Sequence, residues 1–247
     1  MPEEVPGTRD ARKTGEYECR GEYHRNVSPD WSYYPLYLSK KAFVLGILAG
    51  YAKDTPIVDV GCGEGVFVEE LRSEGFSRVL GVDENYSSSL VITGNALDLP
   101  LEDECCRVAL FLDVIEHIPV DRQSRAVAEL HRILRPGGTL IASIPNLAHL
   151  ASRFRFLLRG KLGRTASVEK HPGDRPICEF LVLLEKAGFT VVRRNGFFPT
   201  VPLLYKLVQK HPSNYLWLYR LLNAVFRNPN WCFLNILVCR KTEGDSG

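Results

Sequence analysis

The chain has 247 residues, of which 45% are hydrophobic and 24% charged, and its formal net charge is +2. These values suit one α/β domain with added segments and exclude a wholly disordered, fibrous or integral-membrane protein. So small a net charge leaves no strong electrostatic footprint for nucleic acid, which is not expected as a partner.

Residues 1–22 are polar and rich in Glu, Arg, Lys and Gly, so they bury too little apolar surface to offset ordering and read as a disordered tail. A single domain is expected over 23–247. It opens on an aromatic cluster, Trp31 to Tyr37, that leads into an apolar stretch with Leu38, Phe43, Val44, Ile47 and Leu48. This pattern fits a helix packed on a sheet edge or an aromatic lid over a ligand.

The run VDVGCGEG, Val58 to Gly65, follows as a short buried strand entering a turn with Gly61, Gly63 and Gly65. Glycine lets the backbone take φ > 0 and approach a ligand closely, while the next helix presents free N–H groups. The third glycine comes one place too early for the dinucleotide fingerprint G-x-G-x-x-G, so NAD does not suit the loop. Residues 66–74 read as a helix ended by Gly75, and RVLGVDE (Arg78 to Glu84) as a second strand closing on Asp83. Asp83 stands 22 positions after Gly61, where an acid accepts from ribose hydroxyls in nucleotide-binding sheets.

Between Asp83 and a strand at Leu90 to Thr93 there is room only for a turn or a helical stub. Val108 to Leu112 form a fourth strand that ends in DVIEHI, Asp113 to Ile118. Ala126, Val127, Leu130, Ile133 and Leu134 recur at helical spacing until Arg135-Pro136-Gly137-Gly138, and Thr139 to Ile144 make a fifth strand. A helix from about Ile177 to Ala187, closed by Gly188, precedes two strand-like runs, Phe189 to Arg194 and Trp231 to Cys239. Strands and helices alternating in this way predict a mostly parallel sheet covered on both faces.

The seven cysteines form no C-x-x-C pair, which fits reduced thiols in a cytoplasmic protein. No leader-like segment opens the chain and no run of ~18 apolar residues occurs, so neither secretion nor membrane spanning is expected.

Taken in order, VDVGCGEG, GVDEN, GNALDLP, DVIEHI and LRPGGTLIASIPN make the chain resemble a class I S-adenosylmethionine-dependent methyltransferase from Ile57 to Asn146. The resemblance implies a Rossmann-like, doubly wound seven-stranded sheet, parallel except for an antiparallel last strand. It implies that Asp59, Gly61, Cys62 and Gly63 hold the methionine end of S-adenosylmethionine, and that Asp83 takes the ribose hydroxyls. Asn95, where relatives usually carry Asp, and the backbone N–H of Ala96 are the adenine candidates. Gly65 and Asp113 complete the expected cofactor-binding set.

Methyl transfer to a hydroxyl benefits from a base, and Glu116 and His117 lie just past the fourth strand where such a group belongs. An equal alternative is that they only anchor a helix start and shape the pocket. Asp113, Glu116 and His117 also stand at i, i+3 and i+4, so a helix beginning at Asp113 would align them for a divalent metal, with His149 as a further candidate. The run is similar to the acid-x-x-Glu-His of ubiquinone-pathway O-methyltransferases and small-RNA 2′-O-methyltransferases.

The expected activity is methylation of a small, hydrophobic or lipid-linked acceptor on oxygen. The alternatives are a metal-dependent O-methyltransferase, including one for RNA 2′-hydroxyls, and a non-catalytic cofactor-binding or membrane-surface protein. Two segments beyond the resemblance, about 147–165 and 199–228, are expected to form a helical cap. The first interleaves Arg153, Arg155, Arg159, Lys161 and Arg164 with Phe154, Phe156, Leu157 and Leu158. The second holds a nearly all-apolar helix, Tyr215 to Phe226, with Asn214 as its expected cap. Such segments suit peripheral membrane contact, burial against each other, or a homodimer partner.

Overall fold

The computed structural model describes residues 27–242; the tail expected over 1–22 lies outside them. Helix α1 (Tyr34–Leu48) leads into β1 (Ile57–Val60), α2 (Val66–Ser73), β2 (Val79–Asp83), β3 (Val91–Thr93) and β4 (Cys106–Phe111). The chain continues through α3 (Gln123–Ile133), β5 (Leu134–Pro145), α4 (Leu150–Arg159) and α5 (Ile177–Lys186). It ends in β6 (Phe189–Pro199), α6 (Leu204–Lys210), α7 (Leu216–Val225) and β7 (Cys232–Lys241).

The strands form one seven-stranded sheet in the order β3-β2-β1-β4-β5-β7-β6. The pairs from β3 to β5 are parallel, and β7 runs antiparallel between β5 and the edge strand β6. Parallel pairs need crossovers, and the helices that supply them cover both faces. On one face Ala126, Val127, Leu130 and Ile133 of α3 join Phe180 and Leu184 of α5. On the other, Val44 and Leu48 of α1, Val68 and Leu71 of α2, Val208 of α6, and Leu218 and Leu222 of α7 pack together. All four residues of β1 are buried, as expected for an interior strand of such a sheet.

Strand order reverses at β1, whose successor β2 lies to one side and β4 to the other. Ligands of open α/β sheets bind at such a switch point, beyond the carboxyl ends of the strands. Asp59 ends up opposite Gly81 and Leu110 there, and Asp83 opposite Thr93.

Three local expectations need correction. α3 ends at Ile133, before Arg135-Pro136-Gly137-Gly138, and β5 begins already at Leu134, which pairs with Cys106 before the register shifts to Val108 and Thr139. The polar turn is therefore a bulge inside the strand and not a linker before it. Asn214 does not cap α7, which starts after Tyr215 without a side-chain cap. Asp113 does not open a helix: its φ of 57° is left-handed, and only one 3₁₀ turn, Ile115–His117, follows.

Candidate active site

A cavity of about 990 Å³ lies beyond the carboxyl ends of the central strands, near the upper end of small-molecule sites. Asp59, Gly61, Cys62, Gly63, Asp83, Asn95, Ala96, Asp113, Glu116 and His117 all line it. Gly65 does not. A Cβ there would stand 2.6 Å from Val91 Cγ2, so Gly65 starts α2 at φ +81° and permits close packing on β3.

The glycine turn is fastened to the sheet from both sides. Gly61 N donates to Val82 O at 2.7 Å, and Gly63 N donates to Asp83 Oδ2 at 2.8 Å. Asp83 Oδ1 accepts from Asn85 N at 2.9 Å, so each carboxylate oxygen carries one internal bond and keeps lone pairs toward the cavity wall. Gly61 at φ +77° has no room for a side chain, because a Cβ would meet Val114 Cγ2 at 2.3 Å. Gly63 at φ +57° is the opposite case, with no atom within 4 Å of its Cβ position. Bare backbone therefore borders open space there, which fits a ligand that lies directly on the turn.

Asp59 is buried, and burial raises its carboxyl to about 7, with Asp83 adding to the rise and Lys40 opposing it. Such a carboxylate gains most from a ligand that brings positive charge or donors. Burial likewise raises the thiol of Cys62, whose sulfur packs where a Cβ on Gly81 would stand. Asn95 Oδ1 already accepts from Leu97 N at 2.8 Å, and its Nδ2 donates to Glu84 Oε1 at 3.3 Å. One amide lone pair is left for a ligand.

The side of the cavity beyond β4 is built from distant segments. Asp113 is pinned by Lys40 of α1 and by Ser143, whose Oγ donates to Asp113 Oδ1 at 2.6 Å and accepts from Asp113 N at 2.7 Å. Burial alone would raise the Asp113 carboxyl, but Lys40 and these hydrogen bonds hold it below the ordinary range. Its pairing with Lys40 and its left-handed backbone take Asp113 out of the metal set expected from spacing. His149 is also remote from that role: it caps α4, meets Thr200 Oγ1 at 2.9 Å, and burial lowers its imidazole to about 4.

A segment missed at the sequence level completes the site. Gly173 N donates to Glu116 O at 2.9 Å, and buried Gln123 Nε2 bridges the carbonyls of Ile115, Ile118 and Gly173. A Cβ on Gly173 would stand 2.1 Å from Ile118 O, so only glycine lets this loop close on the 3₁₀ turn. The closure brings the His117 and His171 rings to 4.8 Å, edge to face. One side-chain ligand atom each from Glu116, His117 and His171 lies within 4.8 Å of the others. The turn chemistry of His171-Pro172-Gly173-Asp174 was the available signal.

Hydrogen bonding sets the imidazole tautomers. His117 Nδ1 faces Lys170 O at 2.8 Å, and a carbonyl only accepts, so Nδ1 carries the proton and the lone pair sits on Nε2. Thr165 Oγ1 spends its one proton on Asp174, 2.7 and 2.8 Å from the two oxygens, and so accepts from His171 Nδ1 at 2.7 Å. His171 likewise keeps its lone pair on Nε2. Burial lowers His117, against the bond to Lys170, and raises Glu116 to about 8, with Asp113 adding repulsion. Glu116 Oε2 is buried and has no hydrogen-bond partner among the described residues.

Aromatic side chains from the segment that enters α1, from α1 itself and from β7 line the same cavity. Trp31, Tyr33 and Tyr37 line the cavity with Phe233, and Tyr33 stacks on Phe233 at 5.5 Å.

Residues 58–142 match the family described as a methyltransferase domain. A probable S-adenosylmethionine-dependent methyltransferase of Mycolicibacterium smegmatis is 32% identical over 153 residues, covering 58% of this chain and 54% of the relative. A mitochondrial ubiquinone biosynthesis O-methyltransferase of Dictyostelium discoideum is 27% identical over 143 residues, 48% of this chain and 44% of the relative. The chain thus spans about half the length of these curated relatives. The fold is also that of a Thermotoga maritima S-adenosylmethionine-dependent methyltransferase described as a possible histamine N-methyltransferase. The two share a TM-score of 0.59 and 22% identity over 94% of this chain and 97% of that one. Sequence match, strand order and the glycine turn at the switch point agree, and the chain carries a methyltransferase domain of the class I S-adenosylmethionine-dependent kind.

Proposed function

We propose that the protein moves a methyl group from S-adenosylmethionine to an oxygen of a small, hydrophobic or lipid-linked acceptor. The observation that carries this reading is one continuous cavity lined by the glycine turn, Asp59 and Asp83 and also by His117, Trp31, Tyr33 and Tyr37. In this reading Asp59 and the bare backbone at Gly61 to Gly63 hold the charged methionine end, Asp83 takes the ribose hydroxyls, and Asn95 with Ala96 N lines the adenine. Bound there, S-adenosylmethionine supplies a methyl group already activated by a positive sulfur. His117 then needs only to accept the acceptor's hydroxyl proton at Nε2, a role supported by its anchored Nδ1–H, while burial keeps the ring neutral before the transfer. The aromatic wall orients an apolar acceptor and keeps water out.

Isothermal titration and S-adenosylhomocysteine release test the reading together. The expected result is S-adenosylmethionine binding and turnover that favours lipid-extracted over polar acceptors. Tighter binding of NAD, or turnover on polar acceptors alone, would overturn it.

One observation favours a second reading. Glu116, His117 and His171 stand within ligand reach of one another, with both imidazole lone pairs on Nε2 and Glu116 Oε2 lacking a hydrogen bond among the described residues. This set could hold a divalent cation that activates the acceptor hydroxyl, as in a metal-dependent O-methyltransferase, with RNA 2′-hydroxyls among its acceptors. Loss of activity with chelator and recovery with magnesium or manganese would select it. A cation-dependent rise in melting temperature that is absent in His171→Ala gives a readout independent of activity.

A further inference from the structure

Helix α4 is anchored only at its start. Ala151 and Ser152 are buried, Leu150 N donates to Trp231 O at 3.1 Å, and Ala151 N donates to Thr200 Oγ1 at 3.1 Å. From Arg153 to Leu162 every residue is exposed. Leu157 and Leu158 are each 79% exposed and Leu162 70%, and Phe154 and Phe156 are about half so. A helix this short is marginal alone in water, and large apolar side chains left bare on all sides point to a missing partner.

The charge around these side chains says which partner. From Leu147 to Val168 the chain carries five Lys or Arg and no Asp or Glu. The segment that supplies the supporting Thr200 and Trp231, from Phe197 to Phe233, carries four Lys or Arg and no Asp or Glu. The chain as a whole is nearly neutral, with 31 basic and 29 acidic residues, so five cations with no acid around the bare helix are a local excess. Among the described residues, neither Arg159 nor Lys161 has a carboxylate within ion-pair reach. Exposed leucine and phenylalanine interleaved with unpaired cations match an anionic lipid surface, which offers hydrocarbon and phosphate together. A nucleic acid would use the cations and leave the leucines wet.

We infer that α4 and the following residues to Arg164 form a docking surface for an anionic lipid bilayer. The surface lies next to the catalytic cavity in the chain, because the same loop delivers Thr165 and His171 to the cavity wall. Docking through α4 therefore brings the loop that carries Thr165 and His171 close to the lipid. The inference deepens the proposal of a lipid-linked acceptor and names the surface from which such an acceptor is taken. Among the described residues no helix is long and apolar enough to cross a membrane, so the contact is peripheral.

The test is co-sedimentation of the full chain with phosphatidylglycerol–phosphatidylcholine vesicles and with pure phosphatidylcholine vesicles, without any methyl donor or acceptor. Binding is expected with the anionic vesicles only, and weaker at high salt. Leu157→Glu with Leu158→Glu should lower the bound fraction at least ~10-fold. Arg159→Glu with Lys161→Glu should cost at least ~5-fold per charge. Both pairs should leave circular dichroism and S-adenosylmethionine affinity unchanged, since they are solvent-exposed and outside the cavity.

As a second measurement, Leu157→Trp should shift its fluorescence to the blue on anionic vesicles. No binding to anionic vesicles would overturn the proposal. So would a dimer in sedimentation that the glutamate pair dissolves, or tighter binding to structured RNA than to vesicles. Because methyl transfer is measured separately on soluble acceptor analogues, failure of docking and failure of the methyltransferase reading give different patterns.

Discussion

The two walls of the cavity are made in opposite ways. The wall from β1 to β2 comes from one continuous run, with a turn of three glycines tied to Asp83 through Gly63 N at 2.8 Å. Its donors and acceptors are largely engaged before any ligand arrives. The wall beyond β4 draws Lys40, Ser143, Gln123, Thr165, His171 and Asp174 from across the chain around Asp113, Glu116 and His117. It holds a buried carboxyl raised to about 8 and a half-buried imidazole of lowered basicity. A turn fixed by its own local hydrogen bonds suits binding, whereas an imidazole and carboxyls gathered from distant segments suit proton transfer. The contrast teaches that one site divides its labour between local sequence and long-range assembly.

If that division holds, the largest single loss of binding comes from the first wall. Asp83→Ala should weaken S-adenosylmethionine by about 2 to 4 kcal/mol, the usual worth of charge-assisted bonds to two hydroxyls, with the added loss of the Gly63 anchor. Calorimetric titration measures it, and an unchanged affinity would break the assignment of this wall to the cofactor.

His117→Ala probes the second wall. Turnover should fall ~100-fold or more while cofactor affinity stays close to wild type. A mutant that turns over normally removes both the base and the metal readings; one that loses cofactor affinity as well shows that the walls are not separable.

A glycine pair sharpens the comparison within the first wall. Gly61→Ala forces a Cβ against Val114 and should cost about 2 kcal/mol of stability, read as a lower melting temperature. Gly63→Ala meets no atom and should cost only about 1 kcal/mol for its left-handed backbone. Its methyl would enter the cavity, so S-adenosylmethionine affinity should fall more than stability. Equal effects at the two positions would mean that Gly63 does not face the ligand.

The smallest effect is a pH dependence in the second wall. Glu116 has a folded value of about 8 against an ordinary carboxyl near 4.5, because burial and then Asp113 disfavour its charge. The folded state therefore holds this proton more tightly than the unfolded chain. The stability is fully present below about 4.5 and is lost as the pH rises toward 8. Asp59, raised to about 7, adds a loss of the same sign over a lower window. Glu116→Gln removes only the Glu116 part, so the variant's stability advantage should grow by about 1 kcal/mol or more between pH 5 and 8. A parallel pH profile in the two proteins would show that Glu116 is ionised at no cost in the fold.

Most of the frame was legible in the sequence, for reasons that differ by segment. Buried parallel strands read as short apolar runs, so β1, β2 and β4 lie within a residue or two of their expected bounds. The missing helix between β2 and β3 followed from counting residues. Boundaries failed where a long-range pairing overrode local chemistry, as at Leu134, which joins Cys106 across the sheet before the Pro-Gly-Gly turn. Asp113 failed because the i, i+3, i+4 argument assumes a helix, and its bonds to Ser143 and Lys40 hold it outside one. Of the alternatives for the segments at 147–165 and 199–228, burial against each other does not describe α4, whose last two turns are bare.

The sequence by itself determined the glycine turn, the acid after β2 and the alternation of strands and helices. Each of these depends on neighbours a few residues away, or on a two- or 3.6-residue period that the chain carries openly. Only the tertiary structure decided that His171 rather than Asp113 stands with Glu116 and His117, that Lys40 reaches into the site, and that α4 leaves its leucines in water. Those outcomes rest on loop closure at Gly173 and on which surfaces find a partner, and neither is encoded at any fixed spacing.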